Sequence, residues 1–113
     1  MESLKKTEQF RHVYRTGKCV ANRYLVLYVC GNGLDRNRIG ISVSKKVGNS
    51  VVRHRITRLV RESYRLSEQG FNSGLDMAVV ARVNAKDADY HTIRGALLHL
   101  ASRAGIYDQK SSH

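Results

Sequence analysis

Nine of the thirty residues from Arg36 to Arg65 are cationic: Arg36, Arg38, Lys45, Lys46, Arg53, Arg55, Arg58, Arg61 and Arg65. Glu62 is the only acid among them, so nine cations against one acid give this stretch +8 of the chain's formal +11. Arginine dominates, and its planar fork suits bidentate contacts to phosphate and stacking on bases. A solvated helix face usually mixes signs, so that residues three or four apart pair. Five arginines served by one glutamate repel instead, and a bound polyanion relieves that cost. The spacing points to phosphate binding.

Aromatic residues form a second group. Phe10, Val13 and Tyr14 share one stripe of a helical stretch, while Tyr24 and Tyr28 share one face of a strand. Aromatics on an exposed sheet face are stacking platforms for single-stranded bases. The same stripe also serves to pack a helix onto a sheet, and spacing alone leaves both readings open.

Catalytic groupings are poor. His12, His54, His91, His99 and His113 are scattered, with no acid beside any of them in a motif, and the acids show no paired pattern. Gly31-Asn32-Gly33 precedes a strand rather than a helix, so it is not a phosphate-binding glycine loop. No side chain is assigned a catalytic or metal-ligating role. Cys19 and Cys30 lack a second pair, so neither a zinc site nor a disulfide framework is suggested. They are expected as buried or half-buried free thiols in a reducing cytoplasm.

The elements that must position these groups read as follows. Residues 7–16 form a short helix with Thr7 as cap and Gly17 as stop. A strand over 24–30 follows, with a short one around 19–22 before it. A further strand over 37–43 alternates Ile39, Ile41 and Val43 against Arg38, Gly40 and Ser42, and fits a hairpin with 24–30. The longest helix covers about 51–67, capped by Ser50 or Asn49. Val52, Ile56, Leu59, Val60, Tyr64 and Leu66 occupy one arc of it, and Arg53, Arg55, Arg58, Arg61 and Arg65 the opposite arc. Residues 75–82 are apolar without alternation, the pattern of a strand buried on both faces. A last helix spans about 89–104, capped by Asp87 or Asp89, and the tail after Gly105 reads as polar and loose.

Together these make one domain over residues 1–113, with an ordered core of about 7–104: a two-layer α+β sandwich, a small mixed sheet with helices on it. Hydrophobic residues are 42% of the chain, enough for a core and too many for a disordered basic tail. There is no apolar run of eighteen, so no membrane span is expected, nor is a signal peptide in MESLKKTEQF.

The segment from Ile39 to Arg65, IGISVSKKVGNSVVRHRITRLVRESYR, resembles the protein component of bacterial ribonuclease P. Lys46, Gly48, Asn49, Val51, Arg53, Arg55, Arg58, Arg61 and Glu62 match that family's signature. EQFRHVYRTGK with VANRYLVLY resembles its first helix and strand, so the likeness covers most of residues 7–104. Ser50, His54 and Thr57 depart, standing where the family usually has Ala, Asn and Lys, and the basic extension before the first helix is reduced to Lys5-Lys6.

The resemblance implies an α-β-β-β-α-β-α fold with a left-handed βαβ crossover, like a ribosomal protein domain. It implies a cytoplasmic ribonucleoprotein endonuclease that removes the 5′ leader from precursor tRNA, with catalysis and Mg2+ belonging to the RNA subunit. Lys45, Lys46, Asn49, Arg53, His54, Arg55, Arg58, Arg61 and Arg65 would bind the catalytic RNA. Phe10, Arg11, Tyr14, Arg15, Lys18 and Tyr28 would hold the single-stranded leader. Two other readings remain. One is a ribosomal or RNA-assembly protein that binds structured RNA without processing it. The other is a stand-alone phosphodiesterase using His12 or His54.

Overall fold

A computed structural model describes residues 1–108. Its elements run β1 (Glu2–Ser3), α1 (Thr7–Thr16), β2 (Lys18–Ala21), β3 (Leu25–Gly31), β4 (Arg38–Ser42), α2 (Ser50–Ser67), β5 (Leu75–Ala81) and α3 (Tyr90–Arg103). Short 3-10 turns cover Glu68–Gly70 and Val83–Asp87. A two-residue strand thus precedes the expected order.

The five strands form one mixed sheet in the order β1-β4-β5-β3-β2. β5 lies at its centre, parallel to β4 and antiparallel to β3. This is why Leu75–Ala81 lacks alternation. Met77 and Val79 join the core under α2 and α3, while Ala78 packs with Val13 of α1 on the other face. The expected hairpin of 24–30 with 37–43 does not form, because β5 inserts between the two strands. The hairpin is β2 with β3 instead, in which Cys19 faces Tyr28 and Lys18 faces Val29.

The hand of the β4-α2-β5 connection follows from the ladder. Asn32 N–H donates to Gly74 and Arg82 N–H to Tyr24, so the even-numbered residues of β5 turn their backbone groups toward β3. The odd-numbered ones turn theirs toward β4 and their side chains toward α2. For L-residues this fixes the geometry. Seen from the α2 side with β5 running upward, β4 stands on its right, and the chain passes in front from right to left. The crossover is left-handed, against the strong default for such units.

Helix ends are set locally. Asn49 Oδ1 accepts the Val52 N–H at 3.0 Å and Asp89 Oδ1 the Thr92 N–H at 2.8 Å. That backbone bond holds the Asp89 carboxyl below its usual range. α1 differs from expectation: its cap position is Lys6, and the Gln9 side chain accepts the Lys5 and Lys6 N–H groups at 2.8 and 3.2 Å. Gly17 ends α1 with φ −78°, so it does not serve a left-handed turn. A Cβ there would lie 2.5 Å from the Val13 carbonyl oxygen.

The packed core runs past 7–104 at both ends, since Leu4 is 5% and Ile106 6% exposed. Tyr107 pairs with Phe71 in an isolated bridge, so the start of the tail is anchored rather than loose. Residues 109–113, with His113, lie outside the described residues.

The N-terminal ends of β4 and β5 are clamped by charge. Arg38 donates two hydrogen bonds to the buried Asp76 carboxylate, at 2.8 and 2.6 Å, and Asn32 Nδ2 adds a third at 3.0 Å. Burial raises the Asp76 carboxyl, but these donors outweigh it, and the net shift is downward. A carboxyl depressed by folding stabilises fully above its unfolded value, about 3.9, and loses that contribution as pH falls through the folded value. The urea midpoint should therefore stay flat from about pH 8 to 5 and fall below about pH 4. In Asp76→Asn the midpoint should be lower at neutral pH and the acid fall shallower, as equilibrium unfolding across pH would record.

Candidate nucleic-acid interface

Ile56, Val60 and Tyr64 are fully buried, and they turn α2 so that its cationic arc faces outward. The arc is not uniform. Arg58 is exposed and makes no hydrogen bond or ion pair among the described residues. Arg61 is exposed and reaches Ser3 Oγ at 3.3 Å. Arg65 pairs with Glu62, which holds that carboxyl below its usual range. One of the five arginines is thus paired rather than only repelled.

Arg53 and Arg55 depart further from expectation. Both are half-buried. Arg53 Nη1 donates to the Gly48 carbonyl at 3.2 Å, across the turn of helix that precedes it. Arg55 leaves the helix sideways and donates to the carbonyls of Ala88 and Lys86 at 2.5 and 3.4 Å, tying α2 to the turn before α3. Asn49 is committed through Oδ1 to its cap. Lys45, Lys46 and His54 are exposed, and Val47, 2% exposed, anchors the lysine loop to the core. Leu66, expected on the apolar arc, is 57% exposed.

The second surface lies on the opposite face of the sheet. α1 crosses that face. The Phe10 ring sits on the backbone of Gly40, where an added Cβ would come within 2.3 Å of it. Tyr14 stands edge-on to Tyr28, ring centroids 4.9 Å apart, and is 38% exposed. Burial first, then the neighbouring Cys19, pushes the Tyr28 phenol up, so it remains a donor at neutral pH. Beyond this aromatic rim the sheet is left open. Val26 and Val80 are half-buried neighbours there, with Ser42 and Ala21 exposed. Arg11 and Arg15 are exposed on α1.

Not every expected groove residue arrives. Cross-strand partners share a face, so Lys18, opposite Val29, belongs to the face that α3 covers. Tyr24 packs against the main core rather than beside Tyr28, with Arg23 over its ring. Cys19 is exposed, not buried. Val26 and Ser42 belong to the groove floor by the even-numbered alternation of their strands, whereas Val80 lies in a run without alternation and carries no such signal in the sequence. A cleft of about 750 Å³ opens elsewhere, between β1 and the end of α2. Buried Tyr64 lines it, and burial pushes that phenol up to about 12. It holds none of the expected site residues.

Among the described residues no three His, Cys, Asp or Glu side chains come together to hold a metal. No helix in that range is long and apolar enough to cross a membrane.

Removing Arg58 and Arg55 should have separable effects. Arg58→Ala should leave the melting temperature nearly unchanged, weaken RNA binding and reduce the log–log salt slope by about 0.7–0.9. Arg55→Ala, losing charged hydrogen bonds of about 1.5–3 kcal/mol, should lower the melting temperature by several degrees. Thermal melts and salt-titrated RNA binding measure both.

Comparison with known proteins gives these surfaces a context. The model of the family described as ribonuclease P matches residues 1–105. The ribonuclease P protein component of Lachnoclostridium phytofermentans is 63% identical over 100 residues, covering 88% of this chain and 86% of that protein. That of Clostridium botulinum is 50% identical over 106 residues, covering 93% and 96%. Among solved structures, the Staphylococcus aureus RNase P protein superposes with a TM-score of 0.88 at 38% identity, covering 96% of this chain and 99% of that one. The Thermotoga maritima RNase P protein gives 0.83 at 32% identity, covering 91% and 97%.

Proposed function

This chain belongs to the ribonuclease P protein family, and from that footing we propose how its two surfaces divide the work of the particle. As a ribonuclease P protein component it acts in tRNA processing as part of a ribonucleoprotein, with the ribonuclease P RNA as its partner. In our reading the assembled particle is a cytoplasmic endoribonuclease that removes the 5′ leader from precursor tRNA. The RNA subunit carries the chemistry.

The observation that carries this reading is the placement of two unlike surfaces on opposite faces of one sheet. One is a cationic helix with little aromatic content, suited to the phosphates of a folded RNA. The other is an aromatic rim over an open sheet with two arginines beside it, suited to single-stranded bases. Arg58, Arg61, His54, Lys45 and Lys46 meet the RNA subunit. Arg53 and Arg55 shape that face from beneath while leaving part of each guanidinium free. Tyr14, Tyr28, Arg11 and Arg15 hold the leader, with Phe10 packing the rim onto Gly40. A protein that only assembled structured RNA would use the first surface and leave the second without a role.

Mg2+ is ordinarily bound through one or two carboxylates together with water and phosphates, and among the described residues no three His, Cys, Asp or Glu side chains gather into a fuller protein cage for it. In this reading Mg2+ is held mainly by RNA phosphates, and the protein contributes by neutralising charge around them.

Tyr28→Ala should reduce the particle's preference for precursor over mature tRNA by about 1–3 kcal/mol, the worth of one base–aromatic stack. Assembly with the RNA should stay intact. Competitive binding of precursor and mature tRNA to the reconstituted particle measures this. An unchanged preference would return Tyr28 to a packing role.

A further inference from the structure

A cleft of about 230 Å³ opens between β4 and α2, lined by Ile41, Val43, Arg53, His54 and Thr57. It exists because β1 is short. β1 pairs only with Arg38 and Ile39, so beyond Ile39 no strand among the described residues lies beside the outer edge of β4. The Leu4 N–H closes on the Ile39 carbonyl along that edge. By the two-residue period of a strand, the Ile41 N–H and C=O face the same, now open, edge. The half-buried side chains of Ile41 and Val43 give an apolar floor.

Across the opening, one turn of α2 supplies the wall. The Gly48 carbonyl holds Arg53 through Nη1, which fixes its planar guanidinium while leaving other N–H groups free. The Thr57 hydroxyl donates to the Arg53 carbonyl at 3.0 Å. His54 is exposed at the rim. A phosphate alone would use the cations and leave the apolar floor unexplained. The volume is below the roughly 300–1,000 Å³ of pockets that enclose whole small-molecule ligands. A single flat ring system with a polar edge matches the floor, the planar cation and the open strand edge together.

We propose that this cleft takes one unstacked nucleobase of the RNA partner, its face against Ile41, Val43 and the Arg53 plane and its polar edge toward the Ile41 backbone and His54. The inference rests on the ribonuclease P reading for the identity of that partner. It makes part of the cationic face a base-binding site rather than a phosphate contact alone.

The test fills the cleft without changing charge. Thr57→Phe should weaken binding of the full chain to the ribonuclease P RNA about tenfold, within the range of one lost stack, with the log–log salt slope unchanged. Single abasic positions in that RNA should reveal one site where base removal weakens wild-type binding by a similar factor. At that site, base removal should add nothing to the Thr57→Phe loss. If thermal melts show that Thr57→Phe is poorly folded, His54→Ala at the rim is put through the same abasic comparison. Wild-type affinity in the filled variant, or losses that simply add at every abasic position, would overturn the proposal. Arg58→Ala serves as the reference. If it weakens binding while Thr57→Phe does not, only the cleft fails. If neither does, the RNA-binding face itself fails.

Discussion

Ile56, Val60 and Tyr64 lie in the same core as Ile39, Met77 and Val79, and that contact sets the rotation of α2 about its axis. Each such side chain stabilises by about 1.5–3 kcal/mol when fully buried. Like-charge neighbours along a helix cost a few tenths of a kcal/mol each. Burial wins by a wide margin, so the helix forms with its arginines gathered on the outside whatever they do to one another. The fold then softens the repulsion where it can. Arg53 and Arg55 point to backbone carbonyls, and Arg65 to Glu62. What is left unpaired, Arg58 above all, is available to an outside anion.

The same sheet supports the second surface because its central strand is covered unequally. On the α2 side two helices close over β5. On the other side, among the described residues, α1 alone of the helices crosses, held at one end by Phe10 on Gly40 and at the other by the close approach of Gly17 to the Val29 backbone of β3. One helix cannot cover five strands. The part beyond Tyr14 and Tyr28 stays open, and the aromatic rim borders it. Ligand surfaces of different chemistry thus stand back to back, and each is altered by substitutions that leave the other in place.

Much of this was legible in the sequence, and the failures have physical causes. The helices at 7–16, near 51–67 and near 89–104 follow local periodicity and capping residues, and they stand within a residue or so of the structure. The unpatterned apolar run at 75–82 correctly marks the central strand. Strand order depends on pairing between distant segments, which is why Leu25–Gly31 and Arg38–Ser42 read as a hairpin although β5 separates them. The left-handed crossover is invisible to residue pattern and enters only through the family resemblance. Lys18 falls on the wrong face because a single position in the β2–β3 register reverses it. Helical angle alone places Arg53 and Arg55 with Arg58. It cannot show that Gly48, Lys86 and Ala88 present carbonyls within their reach.

The central claim is that the two faces of the sheet meet different parts of the RNA machinery. Hydroxyl-radical footprinting of protein side chains, on free protein, on the protein–RNA particle and on the particle with precursor tRNA, tests it most directly. The account predicts that His54 and Leu66 on α2 lose reactivity when the RNA subunit binds. Tyr14 and Tyr28 should remain reactive until a substrate bearing a 5′ leader is added. Protection of Tyr14 and Tyr28 by the RNA subunit alone, or by mature tRNA as well as by precursor, would contradict it.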